Sequence, residues 1–224
     1  MAESWNSAGK FNREALQWDE NPQRRFLADA AARAVKTAIR PDSGLNALEI
    51  GCGTGLVSLE IAPLVKTLTA IDTSPEMLEV LNYKAANTGI SNIITFCGDL
   101  ENYTGTITSN ERFDLIYSSM ALHHIEDTAA CIGALSGLLS PGGSIAIADL
   151  EAEDGFFHDD PTEKVHHGFE RDKLSALFRQ NGLRETSYRT IHVIHKPCRE
   201  GKKAEYPVFL VTASHSLSGG LLST

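Results

Sequence analysis

The sequence predicts an α/β protein with a doubly wound, mostly parallel sheet, and two observations indicate this fold. Strand-like and helix-like segments alternate along most of the chain, which is the pattern of parallel strands joined by right-handed helical crossovers. The stretch Ala47-Leu-Glu-Ile-Gly-Cys-Gly-Thr-Gly55 reads as a buried strand that runs into a glycine turn and then a helix. Glycine allows such a turn to bend sharply and to approach a ligand without a Cβ in the way.

The N-terminal part of the chain precedes this alternating pattern. Residues 1–20 are expected to be loosely ordered, with Phe11 and Trp18 as anchors. Asn21-Pro22 then opens a helix, because asparagine is a favourable N-cap and proline fits the first helical position. Apolar residues recur at helical spacing after it, and Pro41 ends that helix.

The alternating elements follow in order. The predicted strands are 47–51, 67–72, 93–97, 113–118 and 144–150, and the predicted helices are 55–64, 75–87, 127–139 and 171–181. Leu-Ser-Pro-Gly-Gly at residues 139–143 indicates a helix stop and a turn before the fifth strand. Two last strand-like segments, 185–195 and 206–214, have no helix between them and predict a closing antiparallel pair. We expect one domain over residues 1–224, with a flexible tail at 216–224.

Composition excludes several classes of function. The chain of 224 residues has a formal net charge of −9, which argues against nucleic acid as a partner, because phosphate contacts need a basic face. It contains neither an apolar stretch long enough to insert into a membrane nor a signal-peptide pattern, so the expected location is the cytoplasm. The four cysteines show no CxxC spacing, and we expect them to be reduced, with no metal bound.

Four acidic residues, Glu49, Asp72, Asp99 and Asp149, lie near the carboxyl ends of predicted strands or just after them. Those ends meet at one edge of an open α/β sheet, where ligands bind. Asp72 follows the first loop glycine by about twenty residues, where a carboxylate accepts both hydroxyls of a ribose. We expect Asp99 to accept from an adenine amine and Glu49 to hold a ligand ammonium, while Asp149 has no predicted role. The alternative for Asp72 is a plain cap of the next helix.

The spacing of the loop glycines indicates what kind of ligand the loop binds. A pyrophosphate-binding loop has the spacing G-x-G-x-x-G, whereas residues 51–55 have G-x-G-x-G after Glu49. The additional acids favour a cationic, nucleotide-like ligand over an anionic pyrophosphate. An NAD-dependent oxidoreductase stays open as an alternative.

These motifs resemble those of the class I S-adenosylmethionine-dependent methyltransferases over residues 11–215. The matching stretches are 49–55 for the first motif, 70–78 for the second, 97–100 for the adenine edge, 113–125 for the fourth strand and its loop, and 138–143 for the turn before strand five. The resemblance implies a Rossmann-like, seven-stranded sheet of order 3-2-1-4-5-7-6, with strand 7 antiparallel and helices on both faces. It also implies S-adenosyl-L-methionine as cofactor. The implied cofactor-binding residues are Trp18, Glu49, Gly51, Cys52, Gly53, Gly55, Asp72, Thr73, Met77, Asp99, Leu100 and Ser118.

The resemblance also suggests the type of acceptor. Residues 1–40 are similar to a segment that covers the cofactor in small-molecule members, and residues 151–168 are expected to form a lid. The likeness is to the broad group that includes ubiquinone and menaquinone biosynthesis enzymes. Ser-Ser-Met-Ala at residues 118–121 replaces the Asn/Asp-Pro-Pro-Tyr/Phe motif of many amine methyltransferases that act on bases or protein glutamine. We therefore expect a small-molecule acceptor, methylated at O, N, S or C by in-line displacement. A non-catalytic cofactor-binding partner protein stays open as a second alternative.

Two histidine pairs are candidates for a general base, which a hydroxyl or protonated amine acceptor needs. His123 and His124 follow strand four, and His166 and His167 lie in the predicted lid. Adjacent side chains point in different directions, so at most one member of each pair should face the cleft. We select His123 and His167 as the candidate catalytic residues, with packing or loop hydrogen bonding as the alternative role.

Overall fold

One seven-stranded sheet organises the fold. The computed structural model describes residues 8–40, 42–108, 110–197, 201 and 203–215. The strands are β1 Asn46–Ile50, β2 Thr67–Asp72, β3 Ile93–Cys97, β4 Phe113–Ser119, β5 Leu139–Leu150, β6 Leu183–Pro197 and β7 Lys203–His215. Their order is β3-β2-β1-β4-β5-β7-β6, with β7 antiparallel to both neighbours and the other pairs parallel. This order confirms the sheet that the resemblance implied.

Helices cover both faces of the sheet. They are α1 Ala8–Glu14, α2 Pro22–Ile39, α3 Ser58–Ile61, α4 Pro75–Thr88, α5 Leu100–Thr104, α6 Thr128–Leu138 and α7 Arg171–Gln180. Successive strand residues point to opposite faces, so Ile116 packs in the core beneath α6 and α7, whereas Tyr117 packs in the core beneath α2 and α3. None of the described helices combines the length and apolar character of a membrane span.

Side-chain caps start the helices where the sequence indicated. The Asn21 side chain accepts from the backbone N–H of Gln23 at 2.9 Å, with Pro22 at the first position of α2. Ser74 Oγ accepts from the backbone N–H of Met77 at 3.2 Å and begins α4. Asp72 ends β2 only three residues before α4 begins, so the end of this strand and the start of this helix lie close together.

The N-terminal segment differs from the prediction. Residues 8–20 are helical, as α1 and a 3₁₀ turn at Ala15–Glu20, rather than loosely ordered. α1 buries none of its residues, so it is held by side-chain contacts with distant elements. Lys10 pairs with Glu163 at 2.8 Å, and Ser74 Oγ donates to Asn12 at 2.6 Å. These partners lie far along the chain, which is why local sequence did not indicate the helix.

Two further elements differ from the predictions. The predicted helix over 55–64 shortens to α3, with a 3₁₀ turn at Ala62–Leu64. Gly55 at φ +80° is not helical, which delays the helix start. α5 was not predicted, because its five residues are too short to show helical periodicity and are stabilised by a capping box between Asp99 and Asn102.

β5 begins earlier than predicted. Leu139 pairs with Phe113 and Ser144 pairs with Leu115, so the residues between them form an irregularity inside the strand. Gly142 in that segment has φ +80°. The predicted turn at 139–143 is therefore an irregular start of β5. Pro41, Cys198 and the predicted flexible tail lie outside the described residues.

Candidate active site

A cavity of about 560 Å³ lies at the carboxyl edge of β1, β2 and β4. Pockets that bind small molecules have volumes of roughly 300–1,000 Å³. Its lining residues are Phe11, Trp18, Arg24, Leu27, Ala28, 49–54, Leu56, Val57, 71–73, Met77, 98–100, 119–121 and 124–126. This is the edge at which the sequence placed a binding site.

The glycine loop after β1 forms part of the cavity wall. Gly51 and Cys52 both donate their backbone N–H to the carbonyl of Ile71, at 2.8 and 3.0 Å. Gly51 has φ +69°, and a Cβ there would lie 2.3 Å from the Cβ of Ala121. Only glycine fits this close approach between the loop and the segment after β4.

Gly55 has a packing role. It does not line the cavity. Its φ is +80°, and a Cβ there would lie 2.2 Å from Cδ1 of Leu81 in α4. The structure therefore assigns Gly55 to the contact between the loop and α4, in contrast to the cofactor contact that the resemblance implied.

Asp72 connects the glycine loop to the start of α4. Its Oδ2 accepts from the backbone N–H of Gly53 at 2.7 Å, and its Oδ1 accepts from the backbone N–H of Ser74 at 2.9 Å. Burial raises the pKa of this carboxyl, and these backbone donors oppose that effect. Each carboxylate oxygen has a second lone pair, so Asp72 can accept two hydroxyl groups from a ligand in the cavity.

Glu49 is the most deeply buried acid of the cavity wall, with 2% of its surface exposed. The register of β1 and β4 places Tyr117 beside it. The hydroxyls of Tyr117 and Ser58 donate to Glu49 Oε2 at 3.0 and 2.5 Å. The pKa of Glu49 is raised to about 8, chiefly by burial and to a smaller extent by the charge of Asp72, while the two hydroxyls oppose this rise.

The cavity wall also includes apolar side chains from α4 and α5. Met77 and Leu100 are buried there and line the wall, with Thr73 beside them. Asp99 also lines the cavity, but its side chain is exposed and accepts from the backbone N–H of Asn102 at 2.7 Å. Asp99 thus caps α5 and faces the cavity at the same time.

Ser118 lies apart from the cavity. Its hydroxyl donates to the carbonyl of Ile50 at 2.9 Å, and the neighbouring Ser119 lines the cavity instead. Successive side chains of a strand point to opposite faces. The predicted residue, Ser118, therefore points away from the cavity, and its neighbour Ser119 points towards it.

Residues of the N-terminal segment and of α2 form part of the cavity wall. Phe11 and Trp18 line the cavity, with their ring centroids 5.6 Å apart. The guanidinium of Arg24 lies 3.5 Å from the centroid of the Trp18 ring and pairs with Glu14 at 2.8 Å. Sequence reasoning missed Arg24, because nothing in the sequence distinguishes it from Arg25, which does not line the cavity.

His123 is buried away from the cavity, which corrects its selection as the cavity-facing histidine. Its Nδ1 lies 2.6 Å from Asp149 Oδ1, and its backbone N–H donates to Asp149 Oδ2 at 3.2 Å. His123 and Asp149 are 2% and 0% exposed. This pair gives Asp149 the role that the sequence did not suggest, which is to hold the turn after β4 against β5.

The predicted lid histidines do not line the cavity either. His167 is exposed, and its ring lies against Gly155, where a Cβ would approach its Cε1 to 2.7 Å. His166 Nε2 lies 2.9 Å from the carbonyl of Ile125 and 3.1 Å from Thr128 Oγ1. Both therefore contribute to the fold of the segment after β5, in contrast to the acceptor contact predicted for His167.

His124 is the histidine that lines the cavity. Its ring centroid lies 5.3 Å from that of Phe11 and 5.5 Å from that of His158. Its Nδ1 lies 4.0 Å from Glu163 Oε1. Burial lowers the pKa of His124 to about 2, and neighbouring His123 and His158 add to this effect. The imidazole is therefore neutral near pH 7 and can accept a hydrogen bond.

Comparisons with known proteins agree with this fold and cavity. Residues 47–143 match the family model for a methyltransferase domain. A methyltransferase of Schizosaccharomyces pombe, itself uncharacterized, is 32% identical over 154 residues, which are 63% of this chain and 54% of the relative. A ubiquinone biosynthesis O-methyltransferase of Parvibaculum lavamentivorans is 31% identical over 156 residues, 66% of this chain and 58% of the relative. The chain thus spans little more than half the length of these relatives.

Solved structures share the fold. The N-methyltransferase NodS of Bradyrhizobium japonicum, in complex with S-adenosylhomocysteine, superimposes with a TM-score of 0.68 at 21% identity and covers 94% of this chain and 98% of its own. DhpI, also with S-adenosylhomocysteine, gives a TM-score of 0.70 at 18% identity and covers 94% and 96%.

The sheet order and the glycine loop define the class I methyltransferase architecture. Together with the methyltransferase-domain match over residues 47–143 and the methyltransferase relatives, this architecture supports a class I S-adenosylmethionine-dependent methyltransferase. S-adenosylmethionine is the cofactor of this class, and the acids and apolar walls of the cavity fit it.

Proposed function

We propose that this protein transfers a methyl group from S-adenosylmethionine to a small molecule bound in the cavity described above. The observation that supports this most strongly is the lining of the cavity. The glycine loop, Phe11, Trp18 and part of α2 all contribute to a volume of about 560 Å³. A cavity of this size suits small molecules.

The cavity residues fit the cofactor in three parts. Asp72 would accept the ribose hydroxyls, and Met77 with Leu100 would contact the adenine, whose amine would donate to Asp99. The backbone of residues 51–53 approaches the cavity closely because its glycines have no side chain. Glu49 would face the positively charged groups of the cofactor, which are the ammonium and the sulfonium.

The acceptor would occupy the remaining, largely apolar end. Leu27, Val57, Met120 and His124 line the cavity and would contact the acceptor there. The names of similar proteins include an O-methyltransferase of ubiquinone biosynthesis and an N-methyltransferase. We therefore propose an acceptor with an apolar body and an oxygen or nitrogen nucleophile.

The cofactor supplies an activated methyl group on a sulfonium, and the protein must align the acceptor with it. Alignment of two reactants contributes roughly 7–11 kcal/mol to lowering a barrier. The apolar walls would hold the body of the acceptor and exclude water. His124, as a neutral imidazole, would accept a hydrogen bond from the acceptor's hydroxyl or amine and orient its lone pair.

Calorimetry followed by an acceptor screen tests this proposal. We expect S-adenosylmethionine and S-adenosylhomocysteine to bind with micromolar dissociation constants, and NAD not to bind. Binding of NAD instead would support the oxidoreductase alternative. With an acceptor identified from a panel of phenols and amines, His124→Ala should lower turnover more than His167→Ala. Cofactor binding without turnover of any acceptor would favour a non-catalytic binding protein.

A further inference from the structure

Glu49 occupies an unusual position for a carboxylate that faces a ligand cavity. Its hydrogen-bond donors in the described structure are the hydroxyls of Ser58 and Tyr117, which are uncharged. None of the ion pairs among the described residues includes Glu49. A buried carboxylate without a positive partner is costly to ionise. The surroundings therefore favour the neutral acid.

The titratable groups around Glu49 do not supply a positive charge. Burial raises the pKa of Cys52 and of Tyr117 well above their ordinary values, so both are neutral. Burial, with a smaller contribution from the negative charge of Asp72 at the end of β2, raises the pKa of Glu49 to about 8. Arg24 is the one lysine or arginine among the described lining residues, and it pairs with Glu14.

We propose that Glu49 holds a proton in the cofactor-free site and releases it when S-adenosylmethionine binds, so that this residue favours the cofactor, with its additional sulfonium charge, over the product. This inference rests on the proposed function. The binding equilibrium balances as neutral Glu49 plus cationic cofactor giving carboxylate Glu49 with bound cofactor and one free proton. S-adenosylhomocysteine has a thioether in place of the sulfonium, so its binding releases less of that proton.

Affinity for the cofactor should increase as the pH rises. Below about pH 8 the free site holds the proton, so binding must displace it and a rise in pH favours binding. Affinity for the cofactor should then increase by up to about tenfold per pH unit and level off above that pH. Affinity for S-adenosylhomocysteine should change less, so the preference for cofactor over product should increase with pH.

Calorimetry in two buffers measures the proton directly. Titrations with S-adenosylmethionine at pH 6.5 in phosphate and in Tris should differ in apparent enthalpy, because the buffers take up a released proton with different heats. At that pH the ligand's own amino group stays protonated, since α-amino groups have a pKa of about 7.7–8.0. We expect release approaching one proton for the cofactor and clearly less for S-adenosylhomocysteine.

Matched variants identify the source of the proton. In Glu49→Gln the buffer dependence should disappear, whereas Asp72→Asn and Asp99→Asn should retain it. Tyr117→Phe removes a donor that lowers the pKa of Glu49, so the plateau of affinity against pH should move to higher pH. Tyr117→Phe keeps the test decisive if Glu49→Gln binds the cofactor too weakly to measure.

Three results would overturn the inference. One is binding of the cofactor to wild type with equal enthalpies in both buffers, and another is buffer dependence that survives in Glu49→Gln and vanishes in Asp72→Asn. The third is an unmoved plateau in Tyr117→Phe. Absence of cofactor binding to wild type would instead refute the proposed function itself, so the two failures are distinguishable.

Discussion

Lys10 and Glu163 join two segments that flank the cavity. Lys10 lies in α1 and Glu163 in the segment between β5 and α7, and their Nζ and Oε2 atoms are 2.8 Å apart. The same carboxylate oxygen lies 3.3 Å from His158 Nδ1. Because α1 buries none of its residues, this ion pair is one of the contacts that hold Phe11 over the cavity.

Loss of this ion pair should accelerate escape of the cofactor. We expect Lys10→Met and Glu163→Gln each to raise the dissociation rate of S-adenosylhomocysteine several-fold, measured by stopped-flow displacement. Lys36→Met is the matched control, since Lys36 pairs with Glu60 at the same 2.8 Å away from the cavity. Equal rates in Lys10→Met and Lys36→Met would show that α1 does not retain the cofactor.

Replacement of Asp72 should weaken cofactor binding. Asp72→Ala removes the proposed ribose acceptor and the acceptor of the Gly53 N–H, so we expect at least about tenfold weaker binding, or about 1.4 kcal/mol. Calorimetry measures the change. Asp99→Ala should lose less, because that side chain is exposed. Unchanged affinity in Asp72→Ala would contradict the ribose assignment.

Truncation of the two adjacent histidines should cost different amounts of stability. His123→Ala leaves the fully buried Asp149 without its side-chain partner, and a buried polar group without its partner costs about 1–3 kcal/mol, or more if it is charged. His124→Ala removes a ring from the cavity wall and should cost about 1 kcal/mol. Urea denaturation compares the two, and similar losses would argue against the buried pair.

Two glycines of one loop should tolerate alanine differently. In Gly55→Ala the new Cβ would lie 2.2 Å from Leu81 Cδ1, whereas in Gly53→Ala it meets nothing within 4 Å. Both have positive φ, so each carries a backbone cost of about 1–2 kcal/mol. Thermal unfolding should therefore show a clearly lower melting temperature for Gly55→Ala. The reverse order would mean that backbone strain outweighs the contact with α4.

Protonation of His124 should lower the stability of the folded protein in acid. Its pKa is about 6.5 when unfolded and about 2 when folded, so the unfolded chain binds more protons below pH 6.5 and stability is lost as pH falls. His124→Gln should therefore lose less unfolding free energy than wild type between pH 7 and pH 5, measured by urea denaturation. His167→Gln, at an exposed position, should keep the wild-type slope. A wild-type slope in His124→Gln would exclude this role.

The strands of the sheet and the glycine loop of the cavity wall were predictable from local sequence. Residues 47–55 and Asp72 define a strand, a glycine turn and an acid at the next strand end, and each depends only on neighbours in the chain. Asn21 and Ser74 likewise cap helices through bonds to residues two and three positions away. Short-range steric and hydrogen-bonding preferences are sufficient for such features.

Contacts between distant segments decided the rest. The sequence placed two histidines after β4, but only the tertiary structure turned His124 to the cavity and His123 to Asp149. α1 forms because Lys10 meets Glu163 across 153 positions of the chain. Arg24 faces the cavity through the packing of α2 on the sheet. Each of these depends on how elements meet in space, and the periodicity of a single segment carries no information about that.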